Sequence, residues 1–325
     1  MRNAIGVDIG GTKCSVVLGA SDGEAIAFSQ KSVFETPGEP EEALREIGCH
    51  IASIIRYCEA EGYAPEGIGI SCGGPLDSRS GVILSPPNLP GWDNIQITRQ
   101  MSERFNLPVW LGNDADACAV AEWKYGAGRG CRNLVFLTFG TGMGAGLILN
   151  GQLYTGSSDM AGECGHVRLS EFGPSGYGKM GSFEAFCSGG GIAQLGQIMA
   201  RERIQQGDVP KYAAGDLEGI TAKSIAEAAN DGDQTALDVY RTVGNMMGRG
   251  LAILIDILNP EMVVAGSIFL RSHNLIWPYA KSILLHEGLR QSVDACQVVP
   301  SQLGEAVGDY AAVALALYRN DGKAQ

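Results

Sequence analysis

The chain has 325 residues, of which 45% are hydrophobic and 18% charged, and this composition is typical of a soluble globular protein. The length suggests about two domains. The net charge of −12 disfavours a sequence-independent grip on nucleic acid, which needs clustered Lys and Arg, but it does not exclude a nucleotide. There is no apolar run of about 18 residues and no secretory signal pattern, so we expect no membrane span and predict a cytoplasmic location.

Strands alternate with helices from the start of the chain, which predicts an α/β architecture. Strands are predicted at residues 4–9, 14–18, 67–71, 108–111, 133–139, 145–149 and 262–265. Helices are predicted at residues 41–61, 114–125, 222–229, 234–258, 275–286 and 308–318. The long fourth helix is expected to end before Pro260, because proline cannot continue a helix.

The first glycine turn is DIGGTK at residues 8–13, between the first two predicted strands. Gly10 and Gly11 leave backbone N–H groups open to a phosphate and permit the backbone of a tight turn. Asp8 stands where a carboxylate suits Mg²⁺ bound through water, and Thr12 and Lys13 add a hydroxyl and a positive charge. The alternative is an ordinary hairpin turn. The Walker A spacing is absent, so this is not a P-loop.

The second glycine turn is FGTGMGAG at residues 139–146, which also lies between two predicted strands. Its candidate phosphate-binding residues are Gly140, Thr141, Gly142 and Gly144, and a tight strand connection is the alternative. The recurrence of strand, glycine turn and strand suggests a duplicated α/β domain. We expect the two turns to face each other across a cleft.

Asn113 and Asp114 follow a predicted strand and begin a predicted helix. Phosphoryl transfer to a hydroxyl needs a base within hydrogen-bond reach of that hydroxyl, and an aspartate at the end of a strand suits this role. Helix capping explains the same residue equally well, because Asp is a common cap. The residues alone leave both interpretations open.

These motifs occur in one order: DIGGTK, then residues 69–77 with SPPNLPGW at 85–92, LGNDA at 111–115, FGTGMGAG, and AGECGH at 161–166. In that order the chain resembles the ROK sugar kinases, a family of the actin-like ATPase superfamily. The resemblance extends from residue 8 to the C-terminal helix. It implies two actin-like (ribonuclease H-like) α/β domains with an interdomain cleft, one formed by residues 1–115 and 310–325 and the other by residues 116–309.

The resemblance also implies the ligands and the residues that bind them. ATP and Mg²⁺ are expected at the two glycine turns and at Gly266, which follows the strand 262–265, with Asp8 reaching the metal through water. Asp114 is expected to be the catalytic base. The sugar is expected to contact Gly74, Asn88, Asn113, Asp114, Glu163, His166 and Glu184.

One segment departs from the family pattern. Relatives often carry CxCGxxGCxE after AGExGH, and the three cysteines bind a structural zinc together with the histidine. Here Ser175, Tyr177 and Ser182 stand in the cysteine positions. Serine and tyrosine do not replace thiolates, so we predict no zinc. Hydrogen bonds and packing must then hold the loop that presents His166.

The expected function is therefore ATP-dependent phosphorylation of a hexose, with glucose at its 6-hydroxyl as the first choice. N-acetylmannosamine, N-acetylglucosamine and fructose are alternative substrates. A sugar-sensing transcriptional regulator without its DNA-binding domain is a second class, and a regulator with that domain is disfavoured because the first turn begins at Asp8. A catalytically silent sensor and an activator ATPase are further rivals. No nucleic-acid or membrane partner is expected, and a homo-oligomer (dimer or tetramer) is predicted.

Overall fold

The structure, a computed structural model, describes residues 1–322 and has the predicted α/β fold with two five-stranded sheets. The strands are β1 (Arg2–Ile9), β2 (Lys13–Ser21), β3 (Ile26–Glu35), β4 (Ile68–Cys72), β5 (Leu76–Asp77), β6 (Val82–Ile83), β7 (Val109–Asn113), β8 (Leu134–Phe139), β9 (Met143–Leu149), β10 (Gln152–Leu153), β11 (Ser175–Gly176), β12 (Lys179–Met180), β13 (Met262–Ala265) and β14 (Gln297–Pro300).

The helices differ widely in length, from one turn to 25 residues. They are α1 (Pro40–Ala60), α2 (Ile97–Phe105), α3 (Asp114–Tyr125), α4 (Phe183–Cys187), α5 (Gly189–Gln205), α6 (Ala222–Asn230), α7 (Gln234–Leu258), α8 (Ile268–Arg271), α9 (His273–Glu287), α10 (Arg290–Ala295) and α11 (Val307–Gly322). Every predicted strand and helix is present. The longer elements that were not predicted are β3, α2, α5 and β14, and the short elements β5, β6, β10, β11, β12, α4, α8 and α10 were not predicted either.

The two large sheets have the same internal order. The first is β3-β2-β1-β4-β7 and the second is β10-β9-β8-β13-β14, so in each sheet the first strand lies between the second and the fourth. In the first sheet β1 is antiparallel to β2 and parallel to β4, which is parallel to β7. In the second, β13 is parallel to β8 and β14. The shared order agrees with the predicted duplication.

The chain divides into two compact units. The first unit comprises Met1–Arg132, Gly146–Ala161 and the C-terminal segment from Glu305, and the second comprises Asn133–Ala145 and Gly162–Gly304. The boundary expected after residue 115 stays a prediction. No helix within residues 1–322 is long and apolar enough to cross a membrane.

The first unit packs a helix on each face of its sheet. Helix α1 buries Leu44, Ile47 and Ile51 in the core on one side. On the other side α11 lies unusually close to the strands, because glycines line its path. A Cβ at Gly69 would lie 2.0 Å from the carbonyl oxygen of Ala312, so any larger residue there would displace α11.

Candidate active site

The first glycine turn is braced by a neighbouring strand end. The N–H of Gly10 donates to the carbonyl oxygen of Lys13 at 3.0 Å, and the Thr36 hydroxyl donates to the carbonyl oxygen of Gly10 at 2.6 Å. The N–H of Thr36 donates to the carbonyl oxygen of Thr12 at 3.0 Å. Within residues 1–322 the N–H groups of Gly11 and Thr12 donate to no protein group, and both residues are exposed. The turn therefore presents donors suited to an anion.

The segment with Asn88 lies directly against this turn. A Cβ at Gly11 would lie 2.4 Å from the carbonyl oxygen of Asn88, and one at Gly73 would lie 3.4 Å from the side-chain amide of Asn88. The segment is closed on itself by the N–H of Ser85, which donates to the carbonyl oxygen of Trp92 at 3.0 Å. Trp92, the last residue of this segment, is buried in the core of the first unit. The first glycine turn and the segment 85–92, whose Asn88 was predicted to contact the sugar, are thus packed against each other.

Strand β7 and helix α3 position the candidate base. Asn113 is the residue that caps α3, and its Oδ1 accepts the N–H of Ala115 at 2.9 Å. Asp114 is the first helical residue, and its Oδ1 accepts the same N–H at 2.7 Å. A Cβ at Gly74 would lie 3.4 Å from Nδ2 of Asn113, so the amide and Gly74 are neighbours. Only Oδ1 of Asp114 accepts this N–H, so its second carboxylate oxygen can accept a proton or a hydrogen bond from a ligand.

The two acidic residues of this region have raised pKa values. Burial and the charge of Asp114 raise the pKa of Asp8 to about 6, against the opposing effect of a hydrogen bond with Ser71. The surrounding protein atoms reduce the hydration of the Asp114 carboxylate and so raise its pKa, although solvent still reaches the side chain. The hydrogen bond from the N–H of Ala115 lowers the same pKa. The parallel strands β1, β4 and β7 bring both residues to one edge of the sheet. Raised carboxyl pKa values are common at functional sites.

In the second unit, the second glycine turn is held by a carboxylate. Oε2 of Glu184, near the start of α4, accepts the N–H of Met143 at 2.9 Å. A Cβ at Gly142 would lie 3.0 Å from the same oxygen. The N–H groups of Thr141 and Gly142 donate to no protein group within residues 1–322. Glu184 was predicted to bind the sugar, and within residues 1–322 its carboxylate accepts a hydrogen bond from the turn.

The start of α5 lies next to the same turn. Ser188 caps the helix by accepting the N–H of Gly191 at 3.1 Å, and the N–H of Gly189 donates to the carbonyl oxygen of Gly140 at 2.8 Å. A Cβ at Gly191 would lie 1.9 Å from the carbonyl oxygen of Ala185, so this position requires glycine. The N-terminus of a 17-residue helix carries partial positive charge and favours an anion.

A cavity of about 850 Å³ opens beside the turn and the α5 N-terminus. Gly140, Thr141, Gly189 and Gly190 line one end of it. The rest is mainly apolar, with a few polar groups. These other lining residues include Ile220, Ala222, Lys223, Ala226, Glu227, Asn230, Tyr240, Ile268 and Arg271. A mainly apolar pocket with one anion-binding end suits a nucleotide.

Gly266 lies at the end of β13, on the same sheet as the second turn. Its N–H donates to the carbonyl oxygen of Leu137 in β8 at 2.8 Å. Ile268 and Arg271, which follow it in α8, line the cavity. The predicted nucleotide role of Gly266 stays a prediction, and its position at the end of β13 is compatible with that role.

The loop that carries His166 is held without thiolates. The ring of Tyr177 lies edge-on to the His166 ring, with centroids 5.3 Å apart and planes at 86°. Nζ of Lys179 donates to the carbonyl oxygen of His166 at 2.5 Å. Gln194 bonds both backbone groups of Ser175, accepting its N–H at 3.1 Å and donating to its carbonyl oxygen at 2.8 Å. Glu163 and His166 are both exposed. No group of three potential metal-ligating side chains occurs within residues 1–322.

The structure thus groups the predicted residues by unit. Gly10, Gly11, Gly74, Asn88 and Asn113 are neighbours in the first unit. In the second, Glu184 contacts the turn. The helix start at Gly189 and the cavity were missed, although the run of Ser188 and three glycines was a usable signal.

The sequence matches a known protein family and several characterised proteins. The model of the ROK family matches residues 4–319. The chain belongs to the ROK family. A glucokinase of Thermotoga maritima is 31% identical over 319 residues, which cover 98% of either chain. A ROK family glucokinase from Streptomyces griseus, solved in complex with glucose and AMPPNP, is similar with a TM-score of 0.75 and 29% identity, covering 97% of this chain and 99% of that one.

The family also includes regulators. A xylose repressor of Caldicellulosiruptor bescii is 30% identical over 265 residues, which cover 81% of this chain and 65% of the repressor. Family membership therefore shows the fold, whereas the reaction depends on the residues of the site.

Proposed function

We propose that this ROK protein catalyses ATP-dependent phosphorylation of a hexose, with glucose as the first-choice substrate and its 6-hydroxyl as the acceptor. The observation that carries the proposal is Asp114, a solvent-accessible carboxylate with a raised pKa at the start of α3, beside Asn113. A carboxylate whose pKa is raised towards the operating pH accepts the proton of a hydroxyl group more readily than an ordinary carboxylate does.

The nucleotide is assigned to the second unit. Its base and ribose occupy the mainly apolar part of the 850 Å³ cavity, and its phosphates extend towards Gly140, Thr141 and the N-terminus of α5. The free N–H groups of Thr141 and Gly142 suit phosphate oxygens. The glucokinase complex with AMPPNP supports ATP as the donor.

The chemistry is one in-line displacement. Asp114 accepts the proton of the sugar hydroxyl, whose oxygen forms a bond to the γ-phosphorus while the bond from phosphorus to the bridging oxygen breaks and ADP leaves. Asn113 donates from Nδ2 to a sugar oxygen and so orients the acceptor. Asn88, Glu163 and His166 supply further hydroxyl partners, as amide, carboxylate and imidazole groups do for sugars.

Asp8 suits Mg²⁺ held through water. Its carboxylate is half-buried and its pKa is raised by burial and by Asp114, so a divalent cation would offset an otherwise costly charge. When bound with ATP, Mg²⁺ neutralises phosphate charge. The same turn offers donors for phosphate oxygens. These are the N–H groups of Gly11 and Thr12 and the ammonium group of Lys13.

A sugar-responsive regulator is the second candidate, favoured by the similarity to the xylose repressor. A kinase and a regulator would both bind a sugar, but only a kinase would convert ATP and the sugar into ADP and a sugar phosphate. N-acetylmannosamine, N-acetylglucosamine and fructose remain alternative acceptors, because they differ from glucose in groups that a pocket reads by shape.

The test is an ADP-release assay with MgATP across a panel of glucose, mannose, fructose and the two N-acetylhexosamines. A kinase releases ADP only when its sugar is present. Sugar binding seen by calorimetry without ADP release would support the regulator instead. Asp294→Asn, an exposed carboxylate on α10, is the matched control for substitutions of Asp114.

A further inference from the structure

A second cavity lies within the first unit, between the first half of β7, the C-terminal half of α3 and the end of α11. Its volume is about 570 Å³, within the range of small-molecule pockets, which is about 300–1,000 Å³. None of the residues assigned above to sugar or nucleotide lines it. It is therefore separate from the proposed reaction.

Three cations line this cavity, and the nearby carboxylates act on them only from beyond ion-pair distance: the charge of Asp321 acts on Lys124, and Asp77 and Arg79 attract each other. Arg79, Lys124 and Arg319 form no ion pair with any residue in the described range 1–322. The one acidic lining residue, Asp321, is already paired with Arg2 at 2.7 Å. The chain has 36 acidic and 24 basic residues, so three unpaired cations in one cavity run against its overall charge. An anion is the missing counterpart.

Lys124 is the most constrained of the three. Its Nζ lies 3.7 Å from the centre of the Trp123 ring and 5.7 Å from that of Tyr318. Burial lowers the pKa of Lys124, because the half-buried ammonium has lost part of its hydration. A bound anion would restore that lost stabilisation, which the aromatic rings supply only in part.

The walls of the cavity are rigid aromatic rings. Trp110, Trp123 and Tyr318 line it, and the last two contact each other with centroids 5.7 Å apart. Nε1 of Trp123 donates to the carbonyl oxygen of Cys131 at 2.8 Å, and the Tyr318 hydroxyl accepts the N–H of Leu153 at 3.1 Å. Both rings are thus fixed in place. Trp123 is buried and Lys124 lies over its ring, so Trp110 and Tyr318, which are only partly buried, offer the flat apolar surface for a planar group.

We propose that this cavity binds a small anion that carries a planar apolar group, such as an aryl phosphate. The phosphate meets Lys124, Arg319 and Arg79, and the ring lies on the aromatic walls. The site adjoins Trp110 in β7 and Lys124 in α3, the two elements that position Asn113 and Asp114. An occupant would therefore contact the elements that carry the candidate base, from the side opposite the helix start.

Calorimetric titration with phenyl phosphate tests the proposal, and it needs no turnover, so its outcome is independent of the proposed function. Excess MgAMPPNP is present throughout to occupy phosphate sites used by the nucleotide. Inorganic phosphate and phenol are the comparison ligands. We expect saturable binding of phenyl phosphate with a Kd of about 1 mM or below, at least tenfold weaker binding of phosphate, and no heat from phenol.

The variants locate the binding. Lys124→Met with Arg319→Gln should weaken binding at least tenfold, whereas Lys281→Met, an exposed lysine on α9 of the second unit, should leave it unchanged. If the double variant fails to fold, Arg79→Gln at its exposed position should still weaken binding. The proposal is overturned if phenyl phosphate does not bind saturably, or if it binds equally well to the cavity variants.

Discussion

The two glycine turns have similar sequences but different surroundings. The first is held by hydrogen bonds from the hydroxyl and N–H of Thr36 and lies close to the carbonyl oxygen of Asn88. Two carboxyl groups with raised pKa values lie at the same sheet edge. The second is braced by the carboxylate of Glu184 and adjoins a large, mainly apolar cavity.

This difference suggests that the two units have different roles in the proposed reaction. We propose that the first unit carries the group that moves the proton and, in its glycine turn, donors for phosphate oxygens, whereas the second carries the cavity for the rest of the nucleotide. If so, substitutions in the first unit should reduce kcat, whereas those in the second should mainly raise KM. The substitutions below test this contrast in order of decreasing effect.

Asp114→Asn should reduce kcat by about 10²- to 10⁴-fold, because the amide cannot accept the hydroxyl proton. Sugar affinity should be nearly kept. Asn retains an acceptor for the N–H of Ala115. The raised pKa of Asp114 means that its charge opposes folding as pH rises above the ordinary carboxyl range, so thermal stability at neutral pH should not fall. Steady-state kinetics with Asp294→Asn as the control measure the effect, and near-normal turnover would remove Asp114 from the mechanism.

Gly11→Ala should reduce kcat/KM by roughly 10²-fold, because a Cβ 2.4 Å from the carbonyl oxygen of Asn88 must displace either the turn or the sugar segment. Gly215→Ala is the matched control, since no atom lies within 4 Å of a Cβ there and its φ is not positive. The two variants are compared by ADP release and thermal unfolding. Equal kinetic effects would contradict the close contact as the cause.

Glu184→Gln should raise KM for ATP roughly fivefold. The substitution replaces a charged acceptor of the Met143 N–H with a neutral one, at a cost of about 1 kcal/mol. Separate KM values for ATP and for sugar distinguish bracing of the turn from the predicted sugar contact. A change confined to the sugar KM would show that the hydrogen bond to Met143 does not support nucleotide binding.

Tyr177→Ala should raise the sugar KM roughly threefold, because the edge-on ring contact that orients His166 is lost, a contact worth about 0.5–1.5 kcal/mol. Tyr177→Phe keeps the ring and should behave like the unaltered protein. If both variants, or neither, raise the sugar KM, the ring contact does not position His166.

The pH profile of kcat/KM should lose activity on the acid side at a pH above about 4, the ordinary range for Asp. Burial raises the pKa of Asp114, so its basic form is depleted earlier as pH falls. A profile that stays flat down to about pH 4 would contradict this environment for the base.

The sequence predicted the parts of the molecule that local patterns determine. Strand β1, its glycine turn and helix α3 follow from short apolar runs, paired glycines and a polar pair at the helix start. The strand β3 was missed because its Ser, Gln and Lys side chains suit an exposed edge and weaken the apolar signal.

Other features depend on long-range packing and could not be predicted. The contact of Glu184 with Met143 joins residues 41 positions apart, and the contact of Tyr177 with His166 depends on a short hairpin in which Tyr177 has a φ of 47°. The absence of zinc stays a prediction, and the metal content of the purified protein decides it.

The most direct test of the central claim is ³¹P NMR of the product formed from MgATP and glucose, recorded with the unaltered protein and with Asp114→Asn. We expect a new phosphomonoester signal of glucose 6-phosphate that appears together with ADP and is almost absent with the variant. Bound glucose without any phosphomonoester signal, or equal product from both proteins, would contradict it.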